Sequence, residues 1–236
     1  MLDITSHTIV RNGKDVISVC LPSILPYVKQ ALVWVDGRSN DGTIGILKEF
    51  AERYGNLAVR IFKIEDPRID LIKMRNNQLK HTTTQWVWIV DSDEYYEPET
   101  CIKIDGIISS DKGEYDSYAL RCWSVYNEEH GHKASSRAVI QRIFKYTPTV
   151  CWQGVFGYEK LYNGGRTMFY QNNPSMKILP LRYVHFSFFK GDLWREEMQK
   201  QRVPVTETEK FIYPLPPEII KIVQKVYANK TQNHTK

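Results

Sequence analysis

The feature that most constrains this chain is the run Gln85-Trp86-Val87-Trp88-Ile89-Val90, followed at once by Asp91-Ser92-Asp93-Glu94. An unbroken stretch rich in aromatic and β-branched residues predicts a strand buried on both faces, as in the middle of a parallel sheet. Three carboxylates in four residues then stand where that strand must end. In open α/β sheets, ligands bind beyond the carboxyl ends of the strands. Asp91 and Asp93 are two apart, so an extended backbone points them the same way, with Ser92 opposite. Two carboxylates converging there repel each other unless a cation lies between them. Oxygen donors of this kind suit Mg²⁺ or Mn²⁺, whose shells are commonly completed by substrate phosphates. A plain polar turn after a core strand would use the same residues, and these four alone do not separate the two readings.

The segments before this run have the same organisation. Leu71, Ile72 and Leu79 recur at near-helical spacing and place Arg75-Asn76-Asn77 on a helix that leads straight into the buried strand. An arginine beside the acidic turn could grip a diphosphate with its two-pronged guanidinium, although a single helix arginine is by default a solvated charge. Gln30-Ala31-Leu32-Val33-Trp34-Val35 is a second buried-strand candidate, running into the loop Asp36-Gly37-Arg38-Ser39-Asn40-Asp41-Gly42-Thr43. Ser39, Asn40 or Asp41 can cap the helix that follows, whose Leu47, Phe50, Ala51 and Tyr54 fall on one face. Asp36 therefore occupies the same topological position as Asp91. A carboxylate there can accept a hydrogen bond from a base imide or a ribose hydroxyl, though turns after strands commonly carry aspartate.

Further strands are expected over residues 3–10 and 57–64, with a helix over 14–25 that Pro22 must kink or restart. From about residue 115 the pattern turns to strand-like runs, 115–126 and 138–144, separated by Asn127-Glu128-Glu129-His130-Gly131-His132-Lys133. That segment reads as a polar loop rather than a histidine metal site. A short helix is expected around Trp194–Met198. Another is expected over Glu218–Tyr227, where Ile219, Ile220, Ile222, Val223 and Val226 form an apolar face suited to packing on the domain, with docking to a partner or a membrane surface as the alternative. Alternating strands and helices over the first half predict an α/β domain with a mostly parallel sheet.

The 236 residues carry a net charge of +5 with no polybasic block, which speaks against a nucleic-acid partner and suits a phosphate-bearing ligand or an anionic membrane surface. Cys20, Cys101, Cys122 and Cys151 lack disulfide or metal-ligand spacing and read as reduced thiols. Without a leader-like N-terminus or an apolar stretch of membrane-spanning length, the expectation is a soluble cytoplasmic protein.

Taken in order, Ile9-Val10-Arg11-Asn12, Leu25-Pro26-Tyr27-Val28, Val35 to Thr43, Arg75-Asn76 and Trp86 to Glu94 resemble the family-2 glycosyltransferases of GT-A fold. Gln141-Arg142-Ile143-Phe144-Lys145 and Trp152-Gln153-Gly154-Val155 are similar to that family's second half. The resemblance implies a Rossmann-like, mixed and mostly parallel sheet flanked by helices. It implies one domain over 1–236, with a nucleotide-sugar half at 1–105, an acceptor half at 106–195 and a helical tail at 196–236. It further implies an inverting enzyme that uses Mn²⁺ or Mg²⁺ and a nucleotide-diphosphate sugar, a UDP-sugar foremost. The acceptor would be a glycan, a lipid-linked or a protein hydroxyl, and peripheral membrane contact stays open. Val10 and Asp36 would contact the nucleoside and Arg75 the diphosphate. Asp91 would meet the ribose or a water on the metal, and Asp93 the metal itself.

Two later residues complete the expected set. Glu159 is the candidate general base, although Phe156-Gly157-Tyr158 stands where the resembled family has a single histidine. His185, in Leu181-Arg182-Tyr183-Val184-His185-Phe186, is the late histidine that the resemblance makes a further metal ligand. Two other readings stand beside this one. A sugar nucleotidyltransferase would carry a glycine-rich phosphate loop near the N-terminus, where Ile9 to Gly13 holds one glycine. A catalytically inactive nucleotide-sugar or glycan-binding module would account for the altered segment before Glu159.

Overall fold

The computed structural model describes residues 2–125, 130–132, 139–155, 158–168, 174–186, 208–210, 215, 217 and 219–224. In chain order the strands are β1 (Leu2–Val10), β2 (Val28–Asp36), β3 (Leu57–Phe62), β4 (Trp86–Ile89), β5 (Glu94–Tyr95), β6 (Ser117–Ser124), β7 (His130–His132), β8 (Val139–Lys145), β9 (Val150–Gln153), β10 (Lys160–Asn163), β11 (Arg166–Thr167), β12 (Met176–His185) and β13 (Thr208–Lys210). The helices are α1 (Lys14–Cys20), α2 (Thr43–Arg53), α3 (Pro67–His81) and α4 (Pro98–Ser110).

Eight strands form one sheet in the order β3-β2-β1-β4-β8-β6-β12-β5. Strands β3, β2, β1 and β4 pair in parallel through their helical crossovers. β8 runs against both β4 and β6, β6 and β12 are parallel to each other, and β5 runs against β12. The sheet is thus mixed and mostly parallel, as its sequence pattern predicts. One consequence governs the site: β12 points the same way as β4, so His185 and the acidic turn emerge at the same edge.

β4 is buried at every position, with Trp86 and Trp88 almost wholly withdrawn from solvent. Its two faces feed different cores. Trp86 and Trp88 join the main cluster with Tyr96, Tyr118 and Tyr183, while Val87 and Ile89 pack with Ile72, Leu79 and Trp152. Removing one such indole costs about 3–5 kcal/mol in general. The strand is therefore a rigid base for the residues that follow it.

Pro22 breaks the helix expected over 14–25: α1 stops at Cys20, and two 3₁₀ turns, Leu21–Ser23 and Leu25–Tyr27, carry the chain into β2. At α2, Gly42 is the N-cap residue with φ +98°, and the preceding Asp41 accepts from the Thr43 amide at 3.0 Å. Asp41 also accepts from the Lys14 amide at 2.9 Å, tying the starts of α1 and α2 together. The expected polar loop is corrected in part. His130–His132 is a strand paired antiparallel with Thr208–Lys210, because backbone pairing with a distant segment overrides local turn composition. Glu128, Glu129 and the helix expected around Trp194–Met198 lie outside the described residues.

Residues 219–224 are helical. Ile219, Ile222 and Val223 pack with Leu215 against Val16 and Cys20 of α1 and against Tyr95 and Val184, so this apolar face is spent on the domain. Among the described residues no helix is long and apolar enough to cross a membrane.

Candidate active site

The expectation that Asp91 and Asp93 extend side by side is corrected by the structure. Residues 91–94 form a turn closed by the Glu94 amide donating to the Asp91 carbonyl at 3.0 Å. Strand pairing returns only with the two-residue β5, which runs against β12 at the edge of the sheet. The carboxylates therefore part, and each meets its own basic partner. Asp93, 2% exposed, has Oδ2 at 3.5 Å from His185 Nε2. Asp91, whose side chain is 37% exposed, accepts from Arg142 Nη2 at 3.0 Å.

Strand register produces the first pair. β5 pairs Glu94 with His185 and Tyr95 with Val184, and the Phe186 amide donates to the Asp93 carbonyl at 2.9 Å. The end of β12 is in this way laced to the acidic turn. Desolvation would lower the His185 imidazole, but the Asp93 carboxylate more than reverses this and pushes it up to about 10. A hydrogen bond with the buried Cys122 acts in the same direction.

The second pair involves a residue the motif reading did not single out. β8 and β6 lose register between Tyr118 and Ala119, which face Ile143 and Gln141, so Arg142 is the extra residue of a bulge. Bulges re-aim side chains and cluster beside active sites. Arg142, 7% exposed, reaches Asp91, Glu94 and the Tyr183 hydroxyl, and its guanidinium lies over the Tyr183 ring at 5.2 Å. Glu94 is fully buried and also accepts from the Tyr96 hydroxyl at 3.0 Å. Burial pushes the Glu94 carboxyl up to about 8, against the pull of Arg142. Desolvation also raises the Asp91 carboxyl, but Arg142, and Arg75 after it, hold it below the usual range. The signal available in the sequence was an arginine in the middle of a strand-like run, a residue type seldom buried without a partner.

Arg75 stands on α3, which Asp66 caps by accepting from the Arg68 amide at 3.0 Å. Its guanidinium covers the Trp152 ring at 4.8 Å, and Nη2 lies 3.5 Å from Glu159 Oε1. Asn76 fixes this arrangement by donating to the Trp152 carbonyl and accepting from the Trp152 amide, at 2.9 and 2.8 Å. The Nε–H of Arg75 is buried with no hydrogen-bond partner among the described residues. A buried cationic donor left over in this way suits an anionic ligand. Just before Glu159, the Tyr158 amide donates to the Val155 carbonyl at 2.9 Å. Gly154 has φ +97°, and a Cβ there would lie 2.9 Å from the Tyr158 carbonyl oxygen. Only glycine fits that position without strain.

Asp36 ends β2 at 2% exposure, but its carboxylate is already engaged. Arg38 Nε and Nη2 donate to it at 3.0 and 2.6 Å, the Arg38 amide donates at 2.9 Å, and Arg11 Nε lies 3.9 Å away. Desolvation raises the Asp36 carboxyl, and Arg38 more than offsets that. Val10 is a core residue at 1% exposure, so what it offers a ligand it offers through the main chain. The structure thus gathers Asp91, Asp93, His185, Arg75 and Glu159 around the carboxyl edge of β4. It adds Arg142, and it places Arg38 in front of Asp36.

A mixed, mostly parallel sheet with an acidic turn at the mouth of its central strand is the architecture of the GT-A glycosyltransferases. The chain matches the model for glycosyl transferase family 2 over residues 7–163 and belongs to that family. It is 29% identical over 100 residues to the poly(ribitol-phosphate) beta-glucosyltransferase of Bacillus spizizenii, covering 40% of this chain and 15% of that protein. The crystal structure of S. aureus TarS 1–349 superposes with a TM-score of 0.54 at 15% identity, over 79% of this chain and 61% of that one. The same fragment in complex with UDP-GlcNAc matches with a TM-score of 0.45 at 23% identity, over 53% of this chain and 36% of that one. The chain therefore spans less than two thirds of the length of these relatives.

Proposed function

We propose that this chain is a metal-dependent, inverting glycosyltransferase that moves a sugar from a nucleoside-diphosphate donor to an acceptor hydroxyl. The observation that carries the reading is the Asp93–His185 pair, 3.5 Å apart at the carboxyl edge of β4. That separation is close to the ~3 Å between neighbouring ligands on an octahedral ion with ~2.1 Å bonds. Among the described residues no three His, Cys, Asp or Glu side chains form a metal cage. A site of one carboxylate and one imidazole, completed by water and donor phosphates, agrees with that and with Mn²⁺ or Mg²⁺. Asp93 and His185 would hold the ion, which when bound neutralises charge developing on the departing diphosphate.

The other residues then take roles their surroundings favour. Arg75 turns its buried Nε–H and guanidinium toward the diphosphate, sharing its charge with the neighbouring Asp91. Asp91, the more exposed carboxylate of the turn, accepts from the ribose hydroxyls. Arg38, braced by Asp36, and the main chain at Val10 frame the base, for which a UDP-sugar is the first donor to try. Glu159 takes the proton of the acceptor hydroxyl as that oxygen attacks the anomeric carbon opposite the leaving diphosphate. One base and one in-line displacement invert the anomeric centre. The acceptor belongs to the glycan, lipid-linked or protein hydroxyls.

The test is a thermal-shift screen of nucleotide sugars with and without Mn²⁺, followed by NMR of the product formed from the best donor. The reading expects metal-dependent stabilisation and a product of inverted anomeric configuration. Stabilisation that ignores Mn²⁺, or retained configuration, would overturn it.

A further inference from the structure

The acidic turn carries three carboxylates, and the residue that organises it comes from the other half of the sheet. We infer that Arg142 is a positioning residue: through one guanidinium it fixes the Asp91 carboxylate for the donor while using Glu94 as its buried anchor. The inference rests on the reading of Asp91 as a donor ligand.

Three observations carry it. First, Nη2 of Arg142 serves Asp91 and Glu94 together, so the geometry of one carboxylate is set against the other. Second, the two ends differ in exposure. Glu94 is fully buried and braced by the Tyr96 hydroxyl, and Tyr96 stacks on Tyr183 with ring centroids 5.2 Å apart. Asp91 is the end that faces solvent, with a side chain 37% exposed. Third, Arg142 reaches this place only through the register shift between β6 and β8. Regular pairing would not have put an extra residue there, and bulges of this kind redirect functional side chains. An arginine suits the task because its planar fork fixes direction as well as charge, which a lysine ammonium does not.

The experiment is a mutant cycle read by calorimetry, with UDP and GDP as probes in the presence of Mn²⁺. Arg142→Lys keeps the charge and loses the fork. It is expected to weaken nucleotide binding about 10- to 100-fold, the scale seen when the outer partner of a ligating group is removed. Asp91→Asn is expected to lose a similar factor. The double variant is expected to be no worse than Asp91→Asn alone, because the arginine acts through that carboxylate. Should Arg142→Lys fail to fold, Arg142→Met combined with Glu94→Gln removes both buried charges together and must show the same loss. Wild-type affinity in a folded Arg142 variant, or losses that multiply in the double variant, would overturn the positioning role alone. Wild-type affinity in Asp91→Asn would overturn the reading of Asp91 and this inference with it.

Discussion

Arg75 Nη2 lies 3.5 Å from Glu159 Oε1, joining α3 to the segment after β9. The two side chains are only 11% and 17% exposed, so the contact is sheltered. It places the group proposed to grip the diphosphate beside the group proposed to take the acceptor proton. Glu159→Gln is expected to keep donor affinity and lose about two to four orders of magnitude in kcat, the usual scale for removing a general base. Transfer assays beside nucleotide calorimetry check it, and near-normal turnover would remove Glu159 from the mechanism.

Asp93→Ala is expected to abolish the Mn²⁺-dependent part of nucleotide binding and, by breaking the buried pair with His185, to lower the melting temperature of the ligand-free protein. Asp93 is buried beside His185, so the neutral variant also removes a carboxylate from a low-polarity site. Titration of UDP with and without Mn²⁺ reads the difference. An unchanged metal increment would reject Asp93 as a ligand.

Acid stability should report His7, which is 1% exposed with Nε2 at 2.8 Å from the Thr82 hydroxyl. Burial, helped by the charge of Arg75, depresses its imidazole to about 3, from 6.5 in an unfolded chain. The folded state therefore binds fewer protons than the unfolded state between these values. The stability tied to neutral His7 is complete above pH 6.5 and is lost as pH falls toward 3, by about 1.4 kcal/mol per pH unit. Urea midpoints across that range are expected to fall more gently in His7→Gln, and parallel pH profiles would contradict the assignment.

Tyr158 precedes Glu159 and is 75% exposed, with the half-exposed Val155 accepting from its amide. A flat apolar ring presented beside the base is suited to the face of an acceptor sugar. Tyr158→Ala is expected to raise the acceptor KM several-fold without altering donor affinity, and Tyr158→Phe to restore it. An effect confined to donor binding would rule out an acceptor role.

Gly154→Ala adds a Cβ at a position with φ +97°, against the Tyr158 carbonyl oxygen. The cost in stability is expected to be about 1–3 kcal/mol. Because the same segment sets the height of Glu159, kcat should fall further than KM changes. Thermal melts and steady-state kinetics separate the two effects.

What the sequence determined by itself is the part encoded in short stretches. The apolar run through Val90 could only be a central strand, and the acidic residues after it could only stand at a strand end. Arg75 and Asn76 fall on α3 because the apolar spacing there is helical. These features are local, and local patterns survive whatever the remainder of the chain does. Tertiary structure decided which charges meet. Asp91 and Asp93 part because the chain turns at once to form β5, whose pairing with β12 needs Glu94 and Tyr95 to find the distant His185 and Val184. His185 meets Asp93 because β12 runs parallel to β4, a direction no single segment carries. Arg142 enters the site through one extra residue in β8, and Arg38 takes the Asp36 carboxylate by curling back across its own turn. Strand register, bulges and side-chain pairing depend on contacts between distant segments, and those exist only once the sheet has formed.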